Sequence, residues 1–315
     1  MGINLTGRGF VNIISTIIPI FIIIFLGIFA RHKGFLSQDF LHQANRLVYF
    51  IAIPAMIFSA IAKSSLKTQF HPGVILITLA VVCLIVPAAW LVAGSANISH
   101  ASKGSFIHSA FHGNLGYIGL AVAFYYLGHE GLVKAAIIVG FVMILQNVLA
   151  VAVLQFYSRD AGSGTSPAAT LGSAMTNPVI LSALAGIVYS LLGLPMPVIL
   201  DRSLTILKGM ALPMALLVIG ASLSFEKIRQ VFSSVVMTSV LKLLVMPAMG
   251  LVLFKLFGIS ASDFIPGLIV LAAPSATLVY IMAEQIGGDP DLAVAAISIS
   301  TLVSGITYGI WLSTG

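Results

Sequence analysis

The stretch His112-Gly113-Asn114-Leu115-Gly116-Tyr117-Ile118-Gly119 interrupts one long apolar run of the chain, and Ala273-Pro274-Ser275-Ala276-Thr277 interrupts another. Three glycines and an asparagine weaken a helix at the first place. At the second, Pro274 removes a backbone donor and clashes with the preceding turn. Ser275 and Thr277 are residue types that cap freed amides. The two interruptions predict two broken helices, each stopping and restarting near the middle of its run.

The surrounding composition says what solvent these helices meet. Of 315 residues, 59% are apolar and 8% charged, and mean hydropathy is +1.11. A soluble domain carries about 25% charged residues. So little charge cannot cover the surface of a 33.1 kDa soluble protein, which excludes a soluble enzyme, a nucleic-acid binder and a disordered chain. The bilayer is the expected solvent. Net charge is +6, but the basic residues stand singly between apolar runs, as flanking anchors do. The lone Cys83 can form neither an internal disulfide nor a thiolate metal site. No cofactor and no metal are expected, and no P-loop is present.

Backbone groups in hydrocarbon must bond within their own segment, so the apolar runs read as helices. They fall at 10–30, 44–62, 73–94, 104–127, 131–157, 172–192, 204–223, 230–257, 264–286 and 291–313. This predicts an all-α membrane protein of ten transmembrane helices, broken at the fourth and ninth. A Gly/Ser-rich stretch gives a linker at 159–171 between a first half, 1–158, and a second, 172–315. The halves repeat. Pro19 and Pro178, Gly27 and Gly186, Gly34 and Gly193, and Pro54 and Pro213 each lie 159 apart. Farther on, Pro87 and Pro247, and Gly128 and Gly288, lie 160 apart. Matches that fall on backbone-breaking residues outweigh shared apolar composition as an explanation. Five helices is an odd number, so the second half enters the membrane from the opposite side. Inverted repeats with interrupted helices are the architecture of secondary transporters.

Orientation is balanced on charge. Arg8, Lys63, Lys67, Lys134, Arg202, Lys208 and Lys255 lie on the side of the N-terminus; Arg31, Lys33, Arg46, Lys103, Arg159, Lys227 and Arg229 lie on the other. The densest loop follows the first helix, which favours a plasma (bacterial inner) membrane protein with both termini outside.

A broken helix exposes free N–H groups where it restarts and free C=O groups where it stops. In inverted repeats the two restarting ends converge from opposite sides. Two positive dipole ends then favour one small anion, such as a carboxylate. The carbonyl ends can hold a cation or bond side chains. Binding is expected at Asn114, Leu115, Gly116, Pro274, Ser275, Ala276 and Thr277.

Gly113-Asn114-Leu115-Gly116-Tyr117-Ile118-Gly119, Asn177-Pro178, Ala273-Pro274-Ser275-Ala276, Ala283-Glu284, Gly287-Gly288-Asp289 and Ser300-Thr301-Leu302 together resemble the auxin efflux carrier family over the whole chain. The resemblance implies a ten-helix fold with crossed fourth and ninth helices, shared with sodium–bile acid symporters. It implies transport of organic anions: auxin in plants, malonate and other dicarboxylates in bacteria. It also places the family's substrate-facing Gln/Asn at Gln146-Asn147. Where the ninth helix of the family has a second asparagine, this chain has Pro274-Ser275.

Several polar residues keep two readings. Gln146 and Asn147 serve the substrate or bond between helices. Lys242, deep in the eighth span, attracts an anion, snorkels, or pairs with a carbonyl helix end. His108 and His112 share one helix face; His112 is a proton-coupling candidate, or the pair is simply satisfied in the interior. Glu284, the one acid inside the ninth span, is a second coupling candidate or an ordinary interfacial charge.

The expectation is a secondary active transporter of small organic anions, coupled to protons or membrane potential, and not an enzyme. Its partners are the anion, the bilayer and a homodimer contact on the scaffold helices. The alternatives are a sodium-coupled symporter of the same fold and a non-transporting receptor.

Overall fold

A computed structural model describes residues 5–64, 69–158 and 176–314, with side chains from residue 13 onward. The linker 159–171 lies outside the described residues, as do Lys67 and Arg159 of the charge comparison and the start of the 172–192 span. The described residues form helices joined by short connections, with one isolated β-bridge at the crossing described below. Among the described residues seven stretches are long and apolar enough to cross a membrane: Ile13–His32, Gln38–Ala62, Pro72–Ser95, Leu115–Tyr157, Val198–Ser222, Ile228–Leu256 and Pro290–Leu312. Two shorter apolar helices, Pro178–Leu192 and Ala261–Ala272, accompany them. Within Leu115–Tyr157 the chain turns at Gly128, whose φ of 71° suits a residue without Cβ.

Local chemistry accounts for the irregular places. The second span starts earlier than hydropathy indicates, at Gln38. Ser37 Oγ accepts from the Phe40 amide at 3.2 Å and caps a polar first segment, Gln38–Leu47. Wide π-helical turns at Val48–Ala52 and Leu241–Val245 come just before Pro54 and Pro247, where an ordinary turn would lose a donor. The carbonyl of Leu243, which Pro247 leaves without its helical partner, accepts instead from Trp311 Nε1 at 2.7 Å. The carbonyl of Ser262, four residues before Pro266, accepts from Lys134 Nζ at 3.2 Å.

Two helix pairs form one group. Leu5–His32 lies along Ala211–Ser222, and Ile53–Ala62 lies along Pro178–Leu192. The first pair approaches so closely that a Cβ on Gly220 would stand 1.9 Å from the Ile24 carbonyl oxygen. A Cβ on Gly27 would stand 2.3 Å from that of Leu217. Small residues at a membrane helix contact allow this backbone approach. The second group contains Pro72–Ser95, His100–Phe111, the stretch to Tyr157, Ile228–Leu256, Ala261–Ala272 and Pro290–Leu312. It surrounds the two interruptions.

Candidate substrate site at a helix crossing

Helix His100–Phe111 starts on Ser99, whose Oγ accepts from the Ser102 amide at 3.2 Å. It stops at Phe111, because His112 is extended (φ −82°, ψ 101°). Helix Ala261–Ala272 stops in the same way at Ala273 (φ −60°, ψ 136°). The two extended pieces then meet as an antiparallel bridge, Gly113 opposite Ser275. Asn114 N donates to Pro274 O at 2.7 Å, and Ala276 N donates to His112 O at 3.0 Å. Proline fits because the bridge uses only its carbonyl. Gly113 is needed for space: a Cβ there would lie 2.8 Å from Leu115 Cδ2 and 3.3 Å from Lys242 Nζ. The register differs from the repeat offset read in the sequence, since residues 162 apart face each other and not 160.

The crossing corrects which amides are free. Ser275 N donates to Ser300 Oγ at 3.1 Å and Ala276 N is held by His112, so the amides directly after Pro274 are occupied. Freedom begins one step later. Among the described residues no acceptor meets the amides of Gly116 and Tyr117 on one side, or of Thr277 and Leu278 on the other. These are the first turns of the restarting helices, the π turn Leu115–Gly119 and Leu278–Ile286. Ser275 Oγ, for its part, donates to Ser109 O at 2.8 Å and locks the two stopped helices together.

The two carbonyl ends take side-chain donors. Gln146 Nε2 reaches Phe111 O at 2.9 Å, and Lys242 Nζ reaches Leu271 O at 2.8 Å. Lys242 is fully buried, with Met246 Sδ 3.4 Å from its Nζ. Among the described residues no Asp or Glu is buried, so this cation has no acidic partner inside the protein. His108 Nε2 and His112 Nδ1 are 2.9 Å apart, both rings buried. At the crossing two amide atoms, Asn114 Nδ2 and Gln146 Oε1, and the ring atom His108 Nδ1 are buried without a partner among the described residues. Asn147 is half-buried one residue on.

The structure therefore brings Asn114, Leu115, Gly116, Pro274, Ser275, Ala276, Gln146, His112 and Lys242 to one crossing. Glu284 is not part of it: the side chain is exposed and accepts from Tyr280 Oη. A cavity of about 860 Å³ approaches from one face of the protein, where Arg31, His32 and Lys227 line it, and reaches inward to Tyr117 and Thr277. Tyr117 Oη donates to Asn45 Oδ1 at 2.5 Å on the cavity wall. Sequence reasoning missed Asn45, Ser109 and the bond made by Ser300. Their one signal was polarity in an apolar context, which spacing alone does not tie to the crossing.

A family model described as "Membrane transport protein" matches residues 12–167 and 168–312. The chain belongs to this membrane transport family, that of the auxin efflux carriers. An "Uncharacterized transporter" of Methanothermobacter thermautotrophicus is 25% identical over 307 residues, covering 96% of this chain and 98% of that protein. A protein of Rhizobium meliloti described as "Putative malonate transporter" is 26% identical over 301 residues, 93% and 92% of the two chains. The "Uncharacterized transporter YfdV" of Escherichia coli is 22% identical over 307 residues, 95% and 96%. In this member of the membrane transport family, the crossing combines unpaired backbone amides, an unpaired side-chain amide nitrogen and a buried lysine.

Proposed function

We propose that the chain is a secondary active transporter of small organic anions, carboxylates first, working by alternating access. The observation that carries this reading is the crossing. Free amides and Asn114 Nδ2 gather there near Lys242, a buried cation with no acidic partner. A buried charge calls for compensation, and an anionic substrate supplies it. The relative described as a malonate transporter makes a short dicarboxylate the first candidate. Contacts are assigned to Asn114, Leu115, Gly116, Ala276, Thr277, Gln146 and Asn147, with Pro274 and Ser275 holding the crossing open.

The fold is read as ten spans in two inverted repeats, 1–158 and 172–315, joined at 159–171. Reciprocal packing supports it. The first span lies on the seventh and the second on the sixth, as an operation exchanging the halves requires. The same exchange swaps the two hydrogen bonds of the bridge, Asn114 to Pro274 and Ala276 to His112. With both termini outside, the cavity beside Arg31 and Lys227 opens to the cytoplasm of a plasma membrane protein. Lys242 on the Leu271 carbonyl favours coupling to protons or potential over sodium, because the ammonium occupies a helix end where a cation would bind.

Reconstituted proteoliposomes test the reading. Uptake of labelled malonate is expected to saturate, to show counterflow against an unlabelled internal pool, and to respond to an imposed proton gradient. Flux linear in concentration without counterflow makes the protein a channel. Binding without flux makes it a receptor.

A further inference from the structure

Besides His108 Nδ1, two buried amide atoms at the crossing lack partners among the described residues, and they differ in kind. Asn114 Nδ2 is a donor, in a side chain 6% exposed; Gln146 Oε1 is an acceptor, in a side chain with no exposure. Chemistry fixes which end of the Gln146 amide is which. Its other atom meets Phe111 O at 2.9 Å, and a carbonyl only accepts, so that atom is the NH₂. The oxygen therefore points elsewhere and waits for a proton. Buried acceptors without donors are rare in folded proteins, and one kept at a binding site calls for a ligand that brings the hydrogen.

A fully ionised dicarboxylate cannot bring it, because an ionised carboxylate is acceptor only. Charge points the same way. Lys242 is the one buried Lys or Arg among the described residues. A monoanion beside it leaves the interior neutral; a dianion leaves one uncompensated charge in a low dielectric. On the reading of the crossing as a carboxylate site, we propose that it selects a short dicarboxylate in its singly protonated form. The ionised end meets Asn114 Nδ2 and the free amides of Gly116 and Tyr117. The protonated end donates to Gln146 Oε1. The transported proton then crosses on the substrate itself, and no side chain has to release it.

The titratable or charged groups around these atoms are few. His108 and His112 end the helix His100–Phe111, and Lys242 comes from the turn Leu241–Val245. Ala261–Ala272 and Pro290–Leu312 contribute Leu271 O and Ser300 there, and the helix ending at Tyr157 contributes Gln146.

Malonate and its monomethyl ester separate the possibilities. Hydrogen malonate and the ester each carry one carboxylate on the same skeleton, but the ester has no acid proton to donate. Binding to the purified full chain is measured by calorimetry at pH values on either side of the second ionisation of malonate. Malonate affinity is expected to strengthen as pH falls, in proportion to the hydrogen malonate present. The ester reports any titration of His108, His112 or Lys242 and is expected to be flat, and about ten-fold weaker than malonate at the acid end. Gln146→Met is expected to bring the two ligands to the same affinity. Malonate affinity that is constant or strengthens with rising pH overturns the proposal, as does an ester that binds as tightly as malonate at the acid end. In those cases the organic-anion reading stands. If neither ligand binds and no carboxylate is transported, both fall together.

Discussion

Replacing Lys242 with methionine separates the two jobs a buried lysine can do. Methionine has a similar length and an adaptable unbranched chain, so the space around Met246 and Gly113 stays filled. The fold loses the weak bond to Met246 Sδ and the bond to Leu271 O, which is left without its donor, at about 1–3 kcal/mol. Against this, a central lysine costs at least about 2.5–3.5 kcal/mol on insertion scales, and that burden disappears. The two terms nearly cancel, so the melting temperature is expected to stay level or rise. Binding is different. The ammonium lies beside Gly113, three residues from the free amides. A unit charge about 7 Å from a carboxylate at an effective dielectric of about 20 contributes roughly 2.4 kcal/mol, or about fifty-fold in affinity. Calorimetric titration of malonate into detergent-purified parent and Lys242→Met, with melting curves on both, reads the two effects separately. A variant that melts like the parent and binds as tightly refutes the electrostatic role. A variant that melts far lower shows that Lys242 is chiefly a clamp on the Leu271 carbonyl.

Other substitutions test the surrounding construction. Gly220→Ala forces a Cβ against the Ile24 carbonyl and is expected to destabilise the protein by about 1–3 kcal/mol, read as a lower melting temperature. Gly94→Ala, with open space at its Cβ position and a place inside a helix, is expected to be neutral or mildly stabilising in the same assay. Pro274→Ala supplies an amide that lets the interrupted helix close, so both the rate and the half-saturation of counterflow are expected to deteriorate. Glu284→Gln changes an exposed side chain bonded to Tyr280, and flux under a proton gradient is expected to match the parent.

The sequence showed where helices run and why His100–Phe111 and Ala261–Ala272 end where they do, because hydrophobic length, glycine and proline act locally. Pro274 and the glycines around Asn114 directly follow those two helix ends. It did not show what the broken ends touch. Whether Lys242 snorkels, attracts or clamps depends on Leu271, which is 29 residues away and marked by nothing in its own composition. The bridge register of Gly113 on Ser275 is likewise a tertiary result, and it ties up amides that local reasoning left free. The polar helix Gln38–Leu47 escaped a hydropathy reading because it lines the cavity through Gln38, His42 and Asn45. Glu284, an acid within an apolar run, reads as a coupling candidate or an interfacial charge, and its side chain is exposed. Sequence order cannot show which face of a short helix such as Leu278–Ile286 meets the protein.

The most direct measurement is the affinity of malonate for Asn114→Ala. The backbone of Asn114 holds the crossing through Pro274, Ile118 and Gly119, and alanine keeps all three bonds. Among the described residues its side-chain Nδ2 has no partner, so removing it takes no hydrogen bond from them. The variant is expected to melt like the parent and to bind malonate about ten- to a hundred-fold more weakly, the loss of one hydrogen bond to a charged group, roughly 1.5–3 kcal/mol. An Asn114→Ala protein that folds normally and binds malonate as tightly as the parent does would place the carboxylate elsewhere and contradict the account of the crossing as the substrate site.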